Sequence, residues 1–404
     1  MWKSWGGCIA AWAFPCKGGA AVSGKKARVI ALYLPQFHPT PENDRYWGQG
    51  FTEWNNVLSA RPLFPGHSQP RLPGELGAYD LRSAQVRRRQ AELARAAGIE
   101  GYCYWHYWFG EGKETLTLPL DEMVRLGEPD FPFCVAWANH DWTTASWQKE
   151  QKAQKDQRIF TQTYPGPEDE IRHFYRLLPA FRDKRYIRVE GRLLFPVFDP
   201  AAIPNAREWM ERWNVLARKE DLEGFHFVGL APSLPELTLS AMLRPDACID
   251  GRFDAVRKLG FDAVMSTNWK YAELKTGGAL HKAFFGLLRR IRPGALIEKY
   301  AYPQIIRHFY TAADQRPDVY PQLLAGWDRS PRAGRQAIIY TNRTPEAFGE
   351  AVRRCLDCVQ SKPHEKRIVF LNSWNEWGEG AYMEPDAEFG DGFLKALAQE
   401  LSAE

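Results

Sequence analysis

Eight short apolar runs, separated by amphipathic segments, constrain this chain more than any other feature. They fall at 29–35 (VIALYLP), 99–105, 133–138, 193–198, 225–230, 263–267, 337–341 and 368–372. A continuous apolar run is expected of a strand buried on both faces. Helical patterns lie between most of them, as at 118–126, 205–219 and 344–360. Asp80 is expected to cap another helix that runs to Ala97, with Gly98 as its stop. Strand–helix alternation predicts parallel β/α architecture, and eight repeats predict a (β/α)8 TIM-type barrel. At 404 residues the chain is long enough for one such domain with long loops at its C-terminal face.

A barrel of this type carries its chemistry at the carboxyl ends of its strands. The residues just past the runs are rich in polar and aromatic side chains: Gln36 and His38, His106-Tyr107-Trp108, and Asn139-His140-Asp141-Trp142. Asp199, Asn268-Trp269, Asn342 and Asn375-Glu376-Trp377 follow later runs. The stretch 39–79 shows no clear helix and holds Trp47, Glu53 and Trp54. It is expected to wall or cover the barrel mouth, the alternative being a packed loop with no ligand.

Aromatics make up 14% of the chain and Trp alone counts 16. Trp and Tyr offer an apolar face with a polar edge, which suits a sugar ring; a Trp-rich core is the competing explanation. Lys and Arg number 53 against 49 Asp and Glu, a near balance that argues against a nucleic-acid partner. No window of 18 apolar residues exists, so no transmembrane helix is expected. Seven cysteines without framework spacing read as reduced thiols, and Cys355 and Cys358 lack a second pair. His38, His106 and His140 could gather a metal with Asp141, but carboxylates and Trp dominate, and neither metal nor cofactor is expected. No P-loop, dinucleotide fingerprint, nucleophile elbow or D-x-D triplet appears.

Residues 1–24 form a leader that loosely resembles a secretory signal, with its apolar stretch broken by Pro15. A cytoplasmic location is expected, or export if the leader acts as a signal. Residues 25–404 are expected to form one barrel with a basic insert at 270–335, where 12 Lys and Arg face 5 Asp and Glu. Within it, 281–292 is basic and amphipathic. It reads as a solvated surface helix, the alternative being weak contact with a membrane surface or an anionic glycan.

The strongest local signal is 372–386, NSWNEWGEGAYMEPD. Four carboxylates fall within eleven residues there, directly after the last run. Glu376 and Glu379 are three apart and share a face in a helical turn. Like charges held close among aromatics push one pKa up, which divides the pair into acid and base. That division is what breaking a glycosidic bond requires. Solvated turn acids or a Ca²⁺ site are the alternatives, and the EF-hand spacing is absent.

Three segments, 27–56, 101–109 (GYCYWHYWF) and 372–386, resemble the bacterial WbsX-type domain of O-antigen and capsule biosynthesis, a family commonly labelled glycosyltransferase. That domain is similar in turn to glycoside hydrolase family 99, endo-acting α-mannan enzymes on a (β/α)8 barrel. The resemblance implies that Glu376 acts as base on a sugar 2-hydroxyl and Glu379 as acid/base at the glycosidic oxygen. Glu384 matches the acidic residue that closes the motif. Gly378 stands where family 99 has histidine. The sugar is then expected to be held by Glu384, Tyr33, Gln36, Glu53, Trp105, His106, Trp108, His140, Asp141, Asn375 and Trp377. The expected substrate is an oligosaccharide or polysaccharide of the bacterial surface, cleaved or transferred with retention. A nucleotide-sugar or lipid-linked transferase and a non-catalytic glycan-binding barrel are the alternatives.

Overall fold

The structure, a computed structural model, describes residues 25–144, 157–232 and 247–402. The leader expected at 1–24 lies outside them. Seven of the eight apolar runs contribute a strand to one parallel sheet. Its members are β1 (Arg28–Tyr33), β2 (Gly101–Trp108), β3 (Phe133–Trp137), β4 (Arg192–Val197), β5 (Phe225–Leu230), β6 (Ala263–Ser266), β7 (Val319–Leu324) and β8 (Ile368–Asn372). Neighbours in the sheet follow chain order, and β1 pairs in parallel with both β2 and β8, so the sheet closes. This is the expected (β/α)8 barrel.

The seventh strand is a correction. Ile338–Thr341 does not enter the barrel; it pairs with Glu298–Ala301 in a separate two-stranded parallel sheet. The barrel strand is VYPQLL, inside the stretch read as a basic insert. Pro321 and Gln322 interrupt its apolar run, so it does not look like a buried strand in sequence. Both ladders survive because β7 is short: it pairs Val319–Pro321 with β6 and Gln322–Leu324 with β8. Asn342, expected past the seventh barrel strand, instead ends the side strand in a left-handed conformation, φ 59°.

Helices occupy the crossovers: α1 (Pro41–Trp47), α2 (Trp54–Leu58), α3 (Ala84–Ala96), α4 (Leu118–Leu126), α5 (Pro167–Phe181), α6 (Ala206–Lys219), α7 (Ala247–Lys258), α8 (Trp269–Ile291), α9 (Tyr302–Phe309), α10 (Ser330–Ala333), α11 (Pro345–Asp357) and α12 (Gly392–Ser402). The first loop therefore contains two short helices where none was expected. The cap of α3 is Ser83, not Asp80. Ser83 has the extended backbone of an N-cap and accepts from the Val86 N–H, while Asp80 binds Arg82. A Trp-rich core accounts for part of the Trp content. Trp209 and Trp213 are core side chains packed with Phe195, Phe225 and Phe227 between sheet and helices.

Candidate active site

Chain geometry just past β8 sets up the carboxylate pair. Glu376 begins a 3-10 turn over Trp377–Glu379, and the Glu379 N–H donates to Glu376 Oε1 at 3.2 Å. The i, i+3 spacing thus turns both carboxylates to one side. A guanidinium from the loop after β7 spans them. Arg332, on α10, places Nη2 2.8 Å from Glu376 Oε1 and Nη1 2.9 Å from Glu379 Oε1. The same Nη2 donates to Glu53 Oε2 at 2.8 Å, and Nε meets the other Glu53 oxygen. Glu53 stands at the start of α2 and also accepts from the Gln36 amide. Arg329 Nε lies 3.0 Å from Glu379 Oε1. Three sequence-expected residues, Glu53, Glu376 and Glu379, therefore meet on one arginine, and Gln36 joins them through Glu53.

Burial holds the Glu376 carboxyl well above the usual carboxylate range; Glu53 and Glu379 push it further, and Arg332 opposes them. Burial is the larger cause of this rise and the neighbouring carboxylates the smaller one. Gly378 is there because of the same cluster. A Cβ at this position would collide with the Glu53 carboxylate and sit 2.7 Å from Arg332 Nε. Glu53 and Arg332 fill the space beside Gly378.

Aromatic groups adjoin the carboxylates. Burial raises the Tyr107 hydroxyl; the charges of Glu376, Glu53 and Glu379 raise it further and Arg332 opposes them, so that phenol senses the field of the cluster. His140 packs edge-on to Tyr107 and against Phe198, which also meets Trp105. Trp142 stacks on Tyr107, and Trp47 and Phe51 of the first loop join the same small apolar cluster. The loop is tied down at Asp328, just past β7, which accepts from His67 Nε2 at 2.9 Å and Gln69 Nε2 at 2.8 Å. Burial alone would raise Asp328, but the His67 bond and the Arg71 charge pull it to about 2.

Other expected sugar-binding residues are placed elsewhere. Alternate residues of a strand face opposite sides. On β2, His106 and Trp108 therefore face the helix layer: His106 Nε2 is 3.1 Å from His173 Nε2 on α5, and Trp108 stacks on the same ring. Burial, then the Arg176 charge, lowers His106 to about 3, so it stays neutral. Tyr33 also faces outward, donating to Gln90 of α3. Glu384 is saturated inside the protein by Tyr79, Gln90 and Trp377. Asn375 spends both ends of its amide on the Leu34 backbone, and Trp377 stacks on Tyr382 with its N–H on Glu384. Asp141 turns to Arg158 and the Gln162 N–H. These are framework contacts, and they place Tyr33, Glu384, His106, Trp108, Asn375, Trp377 and Asp141 off the cluster that Arg332 gathers. His38 and His140 lie in different surroundings from His106, and no cluster of metal-ligating side chains occurs among the described residues.

Sequence reasoning missed Arg332 and Tyr107. Arg332 follows a strand that went unrecognised, so nothing marked it as a loop-end residue. Tyr107 was within a quoted motif, and strand parity from Trp105 was the signal that could have selected it.

Known proteins resemble the chain over most of its length. The profile of the Glycosyltransferase WbsX family matches residues 29–397. The WxcX protein of Xanthomonas campestris pv. campestris (strain B100) is 32% identical over 381 residues, which is 93% of this chain and 50% of WxcX. The chain thus spans about half the length of the curated relatives it matches. A solved structure described as a glycoside hydrolase-like protein superposes with TM-score 0.55 at 14% identity, covering 96% of this chain and 98% of that one. It shares the fold. The GH99 endo-alpha-mannosidase from Bacteroides thetaiotaomicron gives TM-score 0.48 at 16% identity over 92% of this chain and 96% of that one, a likeness too loose to carry an argument.

Proposed function

The chain belongs to the Glycosyltransferase WbsX family, and from that premise we propose that it cleaves or transfers at glycosidic bonds of a surface polysaccharide through Glu376 and Glu379. The observation that carries the reading is the convergence of these two carboxylates, with Glu53, on Arg332 at the carboxyl end of the barrel. By resemblance, Glu376 takes the proton of a sugar 2-hydroxyl while that oxygen attacks the anomeric carbon. Glu379 gives a proton to the departing glycosidic oxygen. Water or a second sugar then opens the anhydro ring, giving its proton to Glu379, and Glu376 returns the first proton to O2. A base with a raised pKa removes such a proton with more driving force, and Arg332 supplies the counter-charge for its ionised form. Tyr107, Trp105 and His140 supply the aromatic wall for the sugar.

The family's designation supports the second reading, glycosyl transfer. Mass spectrometry of products separates the two. Wild type, Glu376→Gln and Glu379→Gln are incubated with surface-polysaccharide and mannan-type oligosaccharides, with and without nucleotide sugars. Shorter chains from wild type alone, without nucleotide, support hydrolysis. Longer chains only with a nucleotide sugar support transfer. A folded Glu379→Gln protein with full activity refutes the assignment of the pair.

A further inference from the structure

The second half of α8 is built inside out. The helix kinks at Gly278 (φ 80°, ψ 164°) and resumes as 279–291. Part of its charge turns inward, on the side of the half-buried Phe285 and Leu288. Lys282 Nζ reaches Glu273 at 2.6 Å and Glu298 at 2.8 Å, both buried, and Arg289 also pairs with Glu298. Its apolar stripe turns outward. Leu280, Phe284, Leu287 and Ile291, spaced i, i+4, i+7 and i+11, are 89, 52, 59 and 66% exposed, and Leu296 in the following turn is 54% exposed. No other large apolar side chain among the described residues exceeds 47%. A surface helix normally does the reverse, so this stripe lacks its partner.

Charge identifies the partner. Between Glu273 and Glu298 there is no acidic residue, whereas Lys275, Lys282, Arg289, Arg290 and Arg292 fall there. Arg290 and Arg292 are exposed and make no ion pair among the described residues. An apolar stripe of about three turns flanked by arginines matches the interface of an anionic bilayer, where the stripe enters the headgroup boundary and the guanidiniums meet phosphates. A second copy of the chain would oppose like charges across the same stripe, which disfavours that occupant. No helix among the described residues is long and apolar enough to cross a membrane, so the contact is peripheral.

We propose that 279–291 is an amphipathic helix by which this protein lies on an anionic membrane surface. The hairpin that follows it is pinned to the catalytic side of the barrel. Arg335, three residues after Arg332, binds the carbonyls of Gly294 and Ala295, and Trp269 packs on Trp327 at 4.0 Å. A glycan carried by a membrane lipid would then meet the carboxylates near the bilayer. That consequence rests on the catalytic reading; the membrane contact does not.

Cosedimentation of the purified full chain with vesicles tests the proposal. Vesicles of phosphatidylcholine alone are compared with vesicles containing phosphatidylglycerol. Wild type is expected to pellet with the anionic vesicles at least about tenfold more than with neutral ones. Arg290→Gln/Arg292→Gln is expected to lose roughly thirtyfold in affinity, two basic residues' worth of surface attraction. Leu280→Glu/Leu287→Glu is expected to fall to background while keeping its melting temperature and its turnover of soluble oligosaccharide, because these side chains are exposed and take no part in the contacts of the carboxylate cluster. Absence of wild-type binding, equal binding to both vesicles, or unimpaired binding by the Leu variant overturns the proposal. So does a concentration-dependent dimer that the Leu variant dissolves without any vesicle binding by wild type. Turnover measured in parallel keeps a failure of the catalytic reading distinct from a failure of this one.

Discussion

Replacing Arg332 with Met removes the shared counter-charge of three carboxylates whose side chains are 0, 8 and 18% exposed. Methionine has similar length, so the change is electrostatic more than steric. Deleting one partner of a buried pair costs about 3–5 kcal/mol, because the other charge stays buried and unpaired. Here the orphaned Glu376 carboxyl can escape by binding a proton, so the cost depends on pH. Arg332 opposes the rise that burial imposes on Glu376, so without the guanidinium this carboxyl is pushed further above its unfolded value of 4.5. A raised folded pKa gives a contribution that is fully present below the unfolded value and lost as pH rises through the folded one. The variant should therefore be destabilised by about 3–5 kcal/mol near pH 8 but by only about 1 kcal/mol near pH 4.5. Urea unfolding of both proteins across that range gives the difference directly. A penalty that is flat with pH, or below about 1 kcal/mol near pH 8, refutes the claim that Arg332 is the counter-ion of the cluster. Arg332→Lys should not restore activity, because an ammonium cannot span three carboxylates from one planar fork.

Gly378→Ala puts a methyl against Glu53 and Arg332. It should cost about 1–3 kcal/mol of stability and reduce turnover at least about tenfold, read by kcat and thermal melting together. Glu384, buried and held at about 7, is raised above its unfolded 4.5; its stabilising contribution is full below 4.5 and lost as pH rises through about 7. Glu384→Gln should remove that loss, on the order of 3 kcal/mol, flattening the stability profile between these limits in urea titrations. Asp328 has the opposite sign: at about 2 against 3.8, its contribution is present above 3.8 and lost as pH falls through about 2. Asp328→Ala should cost about 3–5 kcal/mol at neutral pH, because His67, Gln69 and the Ser330 N–H lose their acceptor, and limited proteolysis should then cut within 59–73.

The barrel was legible because a strand sandwiched between barrel interior and helix layer must be apolar on both faces, and seven strands advertise this as unbroken runs. The eighth, β7, hid behind Pro321 and Gln322, and with it went the loop that carries Asp328, Arg329 and Arg332. Glu376 and Glu379 were legible because their relation is local: three residues in one turn settle their common side. Glu53 and Gln36 stood out as polar residues past β1, but nothing local says that Glu53 meets an arginine nearly 280 residues later.

What the sequence by itself determined was composition within short range: seven of the eight barrel strands, which turn holds the acids, and that aromatic groups gather at strand ends. What only the tertiary structure decided was direction. A side chain at the end of β2 faces either the carboxylates or the helices, and Trp105 and Tyr107 differ from His106 and Trp108 only by parity. In α8 the same ambiguity reverses the ordinary expectation: buried Glu273 and Glu298 draw Lys282 and Arg289 inward, which leaves Leu280, Phe284, Leu287 and Ile291 to solvent. An amphipathic pattern fixes that a helix has two faces. Which face the protein keeps is set by partners distant in the chain, because pairing a buried charge outweighs exposing a leucine.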